Sequence, residues 1–199
     1  MVATAPIGVL AFQGDFAKHL DLLTDMGLEA VAVRTVEDLG AVSGLVIPGG
    51  ESTTIGMLME RFDLLPAVRQ RALDGMPVLG TCAGAILLAR DIVGSDQPRL
   101  GLMDFSIHRN AYGRQIESFE ADVRVENTGR GGHDDPSRAA IRAVFIRAPV
   151  ISGIGSGVEV LASFEGTPVV VRQGNMLAAT FHPELSGEPA LHKLLFHNR

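Results

Sequence analysis

The sequence predicts an α/β fold, in which a mostly parallel sheet has helices on both faces and antiparallel strands follow in the C-terminal half. Three observations predict it. In the first half, short apolar runs rich in β-branched residues alternate with amphipathic runs of helical period. Those apolar runs are continuous, as in strands that are buried on both faces. From about residue 103, strand-like segments follow one another with little helix between them.

The first half begins with the predicted strand IGVLAF (7–12). An amphipathic helix follows, because Phe16, Leu20 and Leu23 are spaced at i, i+4 and i+7. Gly27 is a suitable residue to end this helix.

The alternation continues up to residue 80. A second strand, EAVAVR (29–34), leads through a short acidic turn of helix to the strand LVIP (45–48). The helix PAVRQRALDG (66–75) then precedes the strand PVLG (77–80).

The second half is predicted to be mainly strands. Gly174-Asn175 is a suitable hairpin turn between the last two of them, and a helix over 189–198 closes the chain, with Pro189 near its first position. The predicted strands cover 103–110, 118–126, 143–148, 158–164, 167–173 and 176–182. We see no internal repeat, and at 199 residues with 46% hydrophobic residues the chain is expected to form one domain, 1–199.

Two glycine-rich segments are interpreted as loops. TGRGGHDDPSR (128–138) is polar and predicts an exposed loop. GIGSG (153–157) has the glycine spacing of part of a dinucleotide loop, but a β-run and not a helix follows it, so a plain loop is expected.

Composition and charge exclude several classes of function. The net charge is −6, and no basic stripe with interleaved aromatic residues is present, which argues against a nucleic-acid partner. No apolar stretch approaches the roughly 20 residues that cross a bilayer, and no Lys or Arg precedes Lys18, as a secretory signal would need. The single cysteine forms neither an internal disulfide nor a zinc cluster. We therefore expect a cytoplasmic protein that has no metal site and does not associate with membranes.

The single cysteine, Cys82, lies in the segment VLGTCAGAI (78–86), where a strand turns into a helix. The flanking Gly80 and Gly84 fit a sharp elbow, at which the strand and helix backbones pass too closely for a Cβ. Such an elbow exposes one side chain at the carboxyl edge of the sheet and places the thiol at a helix N-terminus, which favours the thiolate. These features suit a nucleophile, although a lone cysteine is more often a small buried hydrophobe.

A base for this nucleophile is found in the triplet His182-Pro183-Glu184, which follows the apolar run MLAATF. In an extended segment, residues two apart point the same way, and proline disfavours helix for the residue before it. Glu184 is therefore expected to orient the imidazole of His182. The alternative is that this triplet merely leads into the last helix. Most of the other histidines have ordinary explanations: His19 fits a helix face, His133 lies in the polar loop, and His192 and His197 belong to the terminal helix.

The segment LVIPGGEST (45–53) offers a site for an oxyanion. Gly49 and Gly50 allow the backbone to turn an N–H towards a ligand, and the N–H of Ala83, next to the nucleophile, can supply the second donor. The alternative is an ordinary turn that caps a helix beginning near Ser52 or Thr53.

The three motifs PGGES, GTCAG and FHPE together resemble the class I, triad-type glutamine amidotransferases. Four further stretches, AFQGD, HRNAYGRQ, SFE and FIRAP, narrow the resemblance to the glutaminase subunits of pyridoxal 5′-phosphate synthases. The resemblance spans nearly the whole chain and implies the flavodoxin-like fold of class I glutamine amidotransferases.

By this resemblance, Cys82 attacks the side-chain amide of L-glutamine, His182 transfers the proton and Glu184 orients His182. The products are ammonia and glutamate. The resemblance also implies six residues of the glutamine site, and arginine suits the α-carboxylate because it is a bidentate cation. They are Gly50, Glu51, Ser52, Arg109, Ile146 and Arg147.

The resemblance further implies a partner, a (β/α)-barrel synthase subunit that joins the ammonia to sugar phosphates to make pyridoxal 5′-phosphate. That vitamer is the product of the complex, so no cofactor is expected here. Loop 128–138 looks longer than this family usually has. Two alternatives stay open: the glutaminase of another biosynthetic pair, such as one serving anthranilate or imidazole glycerol phosphate, or a catalytically silent regulatory module that binds glutamine.

Overall fold

A seven-stranded sheet forms the centre of the computed structural model, which describes residues 5–109, 118–125 and 140–196. The described strands are β1 (Ile7–Leu10), β2 (Ala30–Val33), β3 (Gly44–Ile47), β4 (Val78–Thr81), β5 (Ala89–Ile92), β6 (Met103–His108), β7 (Ser118–Arg124), β8 (Ala140–Ile146), β9 (Val150–Ser152), β10 (Glu159–Phe164), β11 (Thr167–Gln173) and β12 (Met176–Ala179). The described helices are α1 (Phe16–Asp25), α2 (Val36–Gly40), α3 (Ser52–Arg61), α4 (Leu64–Leu73), α5 (Ala83–Leu88) and α6 (Ala190–Phe196).

The strand order of the main sheet is β10-β11-β12-β4-β3-β1-β2. The five strands from β12 to β2 are parallel, whereas β11 pairs antiparallel with both β10 and β12. The predicted fold class is therefore confirmed, including the antiparallel strands late in the chain. Two smaller sheets accompany the main one: β5-β6-β9, and a ribbon formed by β7 and β8.

Both faces of the main sheet are covered, because neighbouring residues of its central strands belong to different hydrophobic clusters. Leu45 of β3 packs on the face that holds α3, α4 and α5, whereas Val46 packs on the face that holds α1, α6 and the β7–β8 ribbon. Both side chains are fully buried. Continuous apolar strands thus fill two cores at once, as the sequence pattern indicates.

Local sequence signals account for the ends of several elements. Gly27 follows α1 with φ of 78°, and its N–H donates to the carbonyl of Thr24, so it ends the helix as predicted. The acidic turn is α2, which a reciprocal capping box between Thr35 and Asp38 begins. Gly174, with φ of 57°, lies in the turn between β11 and β12 and confirms the predicted hairpin.

Some predicted boundaries are wrong. The strand predicted over 176–182 ends at Ala179, because its neighbour β4 ends at Thr81 and offers no further partner on that side. β5 and β9 were not predicted, and the helix predicted from residue 66 begins at Leu64. GIGSG is a loop between β9 and β10, as expected. The predicted loop 128–138 lies outside the described residues.

The elbow at Cys82 has the predicted geometry. A Cβ on Gly84 would lie 2.0 Å from the carbonyl oxygen of Ile47, and a Cβ on Gly80 would lie 2.6 Å from the backbone of Gly84. Cys82 itself has φ of 49° and ψ of −101°, which is rare for a residue with a side chain. The strained turn carries Cys82 past the end of β4.

No helix in the described part of the chain is both long enough and apolar enough to cross a membrane.

We predict that Gly84→Ala destabilises the protein by about 3 kcal/mol or more, because the added methyl group meets backbone that cannot move aside without shifting β3. Gly40→Ala is the matched control: Gly40 is also helical, and a Cβ there has no neighbour within 4 Å, so its effect should stay within about 1 kcal/mol. Denaturant midpoints of the two variants measure this difference. Equal midpoints would contradict the role assigned to Gly84.

Candidate active site

A cavity of approximately 250 Å³ opens at the carboxyl edge of the parallel strands. The segments that follow β1, β3, β4 and β12 all contribute to its wall, as expected for a ligand site in an open α/β sheet. The ends of β6 and β8 close it from the side of the smaller sheets. Its lining residues are Gly14, Asp15, Gly49, Gly50, Glu51, Ser52, Cys82, Ile86, Arg109, Ile146, Arg147 and His182.

Cys82 lies on the wall of this cavity with 8% of its surface exposed. Its backbone is held on both sides, since its N–H donates to the carbonyl of Ala179 and its carbonyl accepts from the N–H of Ile86. The sulfur lies 4.0 Å from the carbonyl oxygen of Ile146. The thiol is therefore buried, and the exposure predicted from the elbow is wrong, because the segments around the cavity cover it; it still lines the cavity.

His182 lines the same cavity, and its Nδ1 lies 2.7 Å from Oε1 of Glu184. The predicted contact between the two side chains is present, but the backbone that makes it is not extended. Residues Pro183–Leu185 form a short 3₁₀ turn, and the backbone N–H of His182 donates to the carbonyl of Val144 in β8. Proline at the first position of the turn supplies the φ that the turn needs.

The protonation of His182 depends on both of its partners. Burial by itself lowers the pKa of the imidazole, but hydrogen bonds and charge from Cys82 and Glu184 outweigh burial and raise the pKa to about 10. Because Nδ1 is taken by Glu184, Nε2 is the nitrogen left for the sulfur. The imidazole is therefore charged at neutral pH, as a partner of a thiolate would be.

The Gly49-Gly50 turn passes directly over the imidazole. A Cβ on Gly49 would lie 2.2 Å from Cε1 of His182, and a Cβ on Gly14 would lie 1.8 Å from the carbonyl oxygen of Gly49. Gly50 has φ of 146°, a value that favours glycine. Glycine is therefore required here for close approach and not only for a turn. Ala83, the third residue predicted for the oxyanion site, is buried at the start of α5, next to Cys82.

All six residues predicted for the glutamine site line the cavity. Glu51 caps α3, accepting from the N–H of Thr54, and its Oε1 lies 3.1 Å from Nη2 of Arg109. The expected helix cap is therefore confirmed, since α3 begins at Ser52, and the same segment also lines the cavity. On the opposite wall, Arg147 has φ of 44°, so its backbone is strained at the cavity.

Gln97 is a residue of this site that the sequence interpretation missed. Its Oε1 accepts from Nη1 of Arg109 at 2.5 Å, and it also lies 3.1 Å from Oγ1 of Thr53 and 3.3 Å from Oγ of Ser52. Gln97 is 8% exposed, although it lies in a loop after β5. No pattern in the sequence points to it, since its role depends on a loop folding back over α3.

His19 and His192 were also interpreted as ordinary helix residues. They lie on α1 and α6 as expected, but both are fully buried, and Nε2 of His19 lies 3.3 Å from Oε2 of Glu184. Among the residues with described positions, no group of three or more His, Cys, Asp or Glu side chains is arranged to hold a metal ion.

Comparison with known proteins shows which family the chain resembles. A profile of the SNO glutamine amidotransferase family matches residues 9–198. The pyridoxal 5′-phosphate synthase subunit PdxT of Moorella thermoacetica is 52% identical over 186 residues, which are 94% of this chain and 95% of that protein. PdxT of Thermus thermophilus is 51% identical over 189 residues, 94% of each chain.

Solved structures of glutamine amidotransferases and related proteins also match the fold of this chain. A crystal structure described as a glutamine amidotransferase superimposes with a TM-score of 0.88 at 48% identity, covering 96% of this chain and 97% of that one. A chain of PurLQS from Thermotoga maritima shares the fold, with a TM-score of 0.68 at 17% identity, covering 96% of this chain and 96% of that one. The match over residues 9–198 and the identity of about half the sequence lead to one conclusion: the chain belongs to the SNO glutamine amidotransferase family.

Proposed function

We propose that this chain is the glutaminase subunit of a pyridoxal 5′-phosphate synthase, which hydrolyses L-glutamine and passes the ammonia to a synthase subunit. One observation carries the mechanism: Cys82 and His182 line one cavity, and Glu184 lies 2.7 Å behind the imidazole. This is the arrangement of nucleophile, base and orienting group that covalent catalysis requires. Residues 1–199 act as one glutaminase domain in this proposal.

The first half-reaction forms a thioester. The Cys82 thiolate attacks the side-chain amide carbon of glutamine, and the carbonyl oxygen becomes an oxyanion. The N–H groups of Gly50 and Ala83 are assigned to this oxyanion, and one such donor contributes about 3 kcal/mol of transition-state stabilisation. The charged imidazole of His182 then gives its proton to the leaving nitrogen, the C–N bond breaks and ammonia departs.

The second half-reaction releases glutamate. The imidazole, now neutral, takes a proton from a water molecule, and the resulting hydroxide adds to the thioester carbon. The C–S bond breaks, the sulfur leaves as the thiolate, and His182 is charged again. Glu184 accepts from Nδ1 of His182 and stabilises the imidazolium at both stages.

The polar wall of the cavity suits the amino-acid end of glutamine. Arg109 offers a guanidinium to the α-carboxylate, and Glu51 offers a carboxylate to the α-ammonium group. Gln97 and Thr53 hold the Arg109 guanidinium from the side away from the cavity. Ile146 and Arg147 close the opposite wall, near the sulfur.

The acceptor of the ammonia is the finer part of the proposal. The curated relatives are named as subunits of pyridoxal 5′-phosphate synthase, which implies a second subunit. We assign that role to a (β/α)-barrel synthase subunit docked over the glutaminase. Ammonia released into water would be protonated and would lose its nucleophilicity, so direct transfer favours a tight complex. We also assign the reaction to the cytoplasm, because a single free thiol agrees with a reducing compartment.

We predict that the wild-type chain, mixed with the barrel subunit, releases ammonia from glutamine and that Cys82→Ala abolishes this release, because no other residue supplies the nucleophile. Coupled detection of glutamate measures the rate. Turnover by the variant at the wild-type rate would refute the assignment of Cys82.

The raised pKa of His182 leads to a second prediction. In the Cys82→Ala variant the hydrogen bond and the coulombic contribution of Cys82 are lost, so the pKa of His182 should fall from about 10 towards its ordinary value. In the wild type, the folded-state pKa exceeds the unfolded value, so the stability that this proton contributes is complete below about pH 6.5 and is lost as the pH rises to about 10. An NMR titration of the His182 imidazole measures its pKa in the wild type and in Cys82→Ala. His192, whose pKa burial lowers to about 4, is the internal reference and should not change.

The Gln97 contacts predict a defect in substrate binding. Gln97→Leu removes one of the acceptors that hold the Arg109 guanidinium, so the KM for glutamine should rise about tenfold while kcat stays within about twofold. Gln70→Leu is the matched control, because Gln70 is exposed on α4 and bonds only Asp74 among the described residues. An unchanged KM, or an equal fall in kcat, would contradict this role of Gln97.

A further inference from the structure

Two buried histidines extend the line of polar groups behind the catalytic histidine. Nδ1 of His19, on α1, lies 2.9 Å from Nε2 of His192, on α6. On its other side, Nε2 of His19 lies 3.3 Å from Oε2 of Glu184. Neither histidine is exposed, and neither takes part in the mechanism described above.

The outer oxygen of Glu184 needs a donor. Its Oε1 accepts from His182, but its Oε2 is buried and has no aligned hydrogen bond among the described residues. Nε2 of His19 lies within ion-pair distance of this oxygen but is not aligned for a hydrogen bond to it. The same nitrogen also lies 3.3 Å from Oγ1 of Thr81. A buried carboxylate oxygen without any donor is costly, so a small rotation of the His19 ring is favoured.

Only one assignment of protons gives the carboxylate a donor from a neutral His19. If His19 carries its proton on Nε2, that N–H faces Glu184, and Nδ1 is free to accept from the Nε2–H of His192. Nδ1 of His192, which has no partner among the described residues, then holds a lone pair and not a buried N–H. The opposite assignment directs a lone pair of His19 at a carboxylate. Burial, with smaller coulombic contributions from His192 and His182, lowers the pKa of His19, which agrees with a neutral ring.

We propose that His19 is a positioning residue of the glutaminase reaction: as the Nε2–H tautomer it faces Oε2 of Glu184 and fixes the carboxylate against His182, while His192 fixes the tautomer. This inference rests on the proposed function, because it assigns His19 a part in that same reaction. Helices α1 and α6 thereby support the site through Glu184, although neither His19 nor His192 lines the cavity.

The tautomer is measured first, because it does not depend on activity. Long-range ¹H–¹⁵N spectra of the wild-type chain at pH 7 should show both His19 and His192 as neutral rings protonated at Nε2, with His192→Gln used to assign the signals. A proton on Nδ1 of His19, or a doubly protonated His19, would overturn the proposal.

Variants then test the role in catalysis, with the barrel subunit present. His19→Leu should lower kcat between about tenfold and a hundredfold, the factor that one hydrogen bond to a charged group provides, with KM for glutamine within twofold. His19→Gln should recover most of the loss, because its amide nitrogen can take the place of Nε2. Leu23→Ala, another fully buried position on α1, is the control for stability and should leave kcat unchanged.

The outcomes separate the possible failures. A kcat unchanged in His19→Leu, no recovery in His19→Gln, or an equal loss in Leu23→Ala would each overturn the positioning role. If His19→Leu does not fold, the kcat of His19→Gln and the tautomer measured by NMR decide whether His19 is a positioning residue. A wild-type complex without glutaminase activity would overturn the proposed function instead, while the spectra would still decide the contact with Glu184.

Discussion

The site depends on one close approach of backbone, the crossing of β4 and α5 against β3 at Gly80 and Gly84. A Cβ at Gly84 would lie 2.0 Å from a carbonyl oxygen of β3, so only glycine lets the helix start where it does. The crossing forces Cys82 into a rare backbone conformation and directs its sulfur beyond the edge of the sheet. Because β12 lies beside β4, the chain that leaves β12 brings His182 to the same edge. Strand order therefore brings together Cys82 and His182, the proposed nucleophile and base, which are distant in the sequence.

The burial of His182 and Glu184 is the second constraint, because it changes the free energy of their charges. His182 is 8% exposed and Glu184 is 4% exposed, so neither charge is well solvated. In such surroundings an unpaired charge is costly, whereas paired charges reinforce one another. The same burial that would lower the pKa of an isolated imidazole strengthens its interactions with Cys82 and Glu184, and those interactions dominate. The charge on His182 is thus paired before any substrate binds. The turns around the site are strained, as the positive φ values of Cys82 and Arg147 show.

Much of the fold and the triad could be predicted from the sequence, because their signals are local. Continuous apolar runs predict strands buried on both faces, and glycines two residues on either side of a cysteine predict an elbow. His182 and Glu184 were predicted to meet, and they do, but a 3₁₀ turn and not an extended segment brings them together. Strand ends were predicted less well, since the end of β12 is set by where β4 stops and not by its own residues.

By itself, the sequence determined the parallel sheet, the elbow and the choice of Cys82, His182 and Glu184 as the groups proposed to react, because each of these depends on residues close together in the chain. Only the tertiary structure decided which further side chains contact the residues of the candidate site. Gln97 and Arg109 meet because a loop folds over α3. His19 reaches Glu184 because α1 packs against the 3₁₀ turn that carries this carboxylate, and it reaches His192 because α1 and α6 pack on the same face of the sheet. Such contacts join segments up to 173 residues apart and leave no periodic or local pattern, since their partners are chosen by packing in three dimensions.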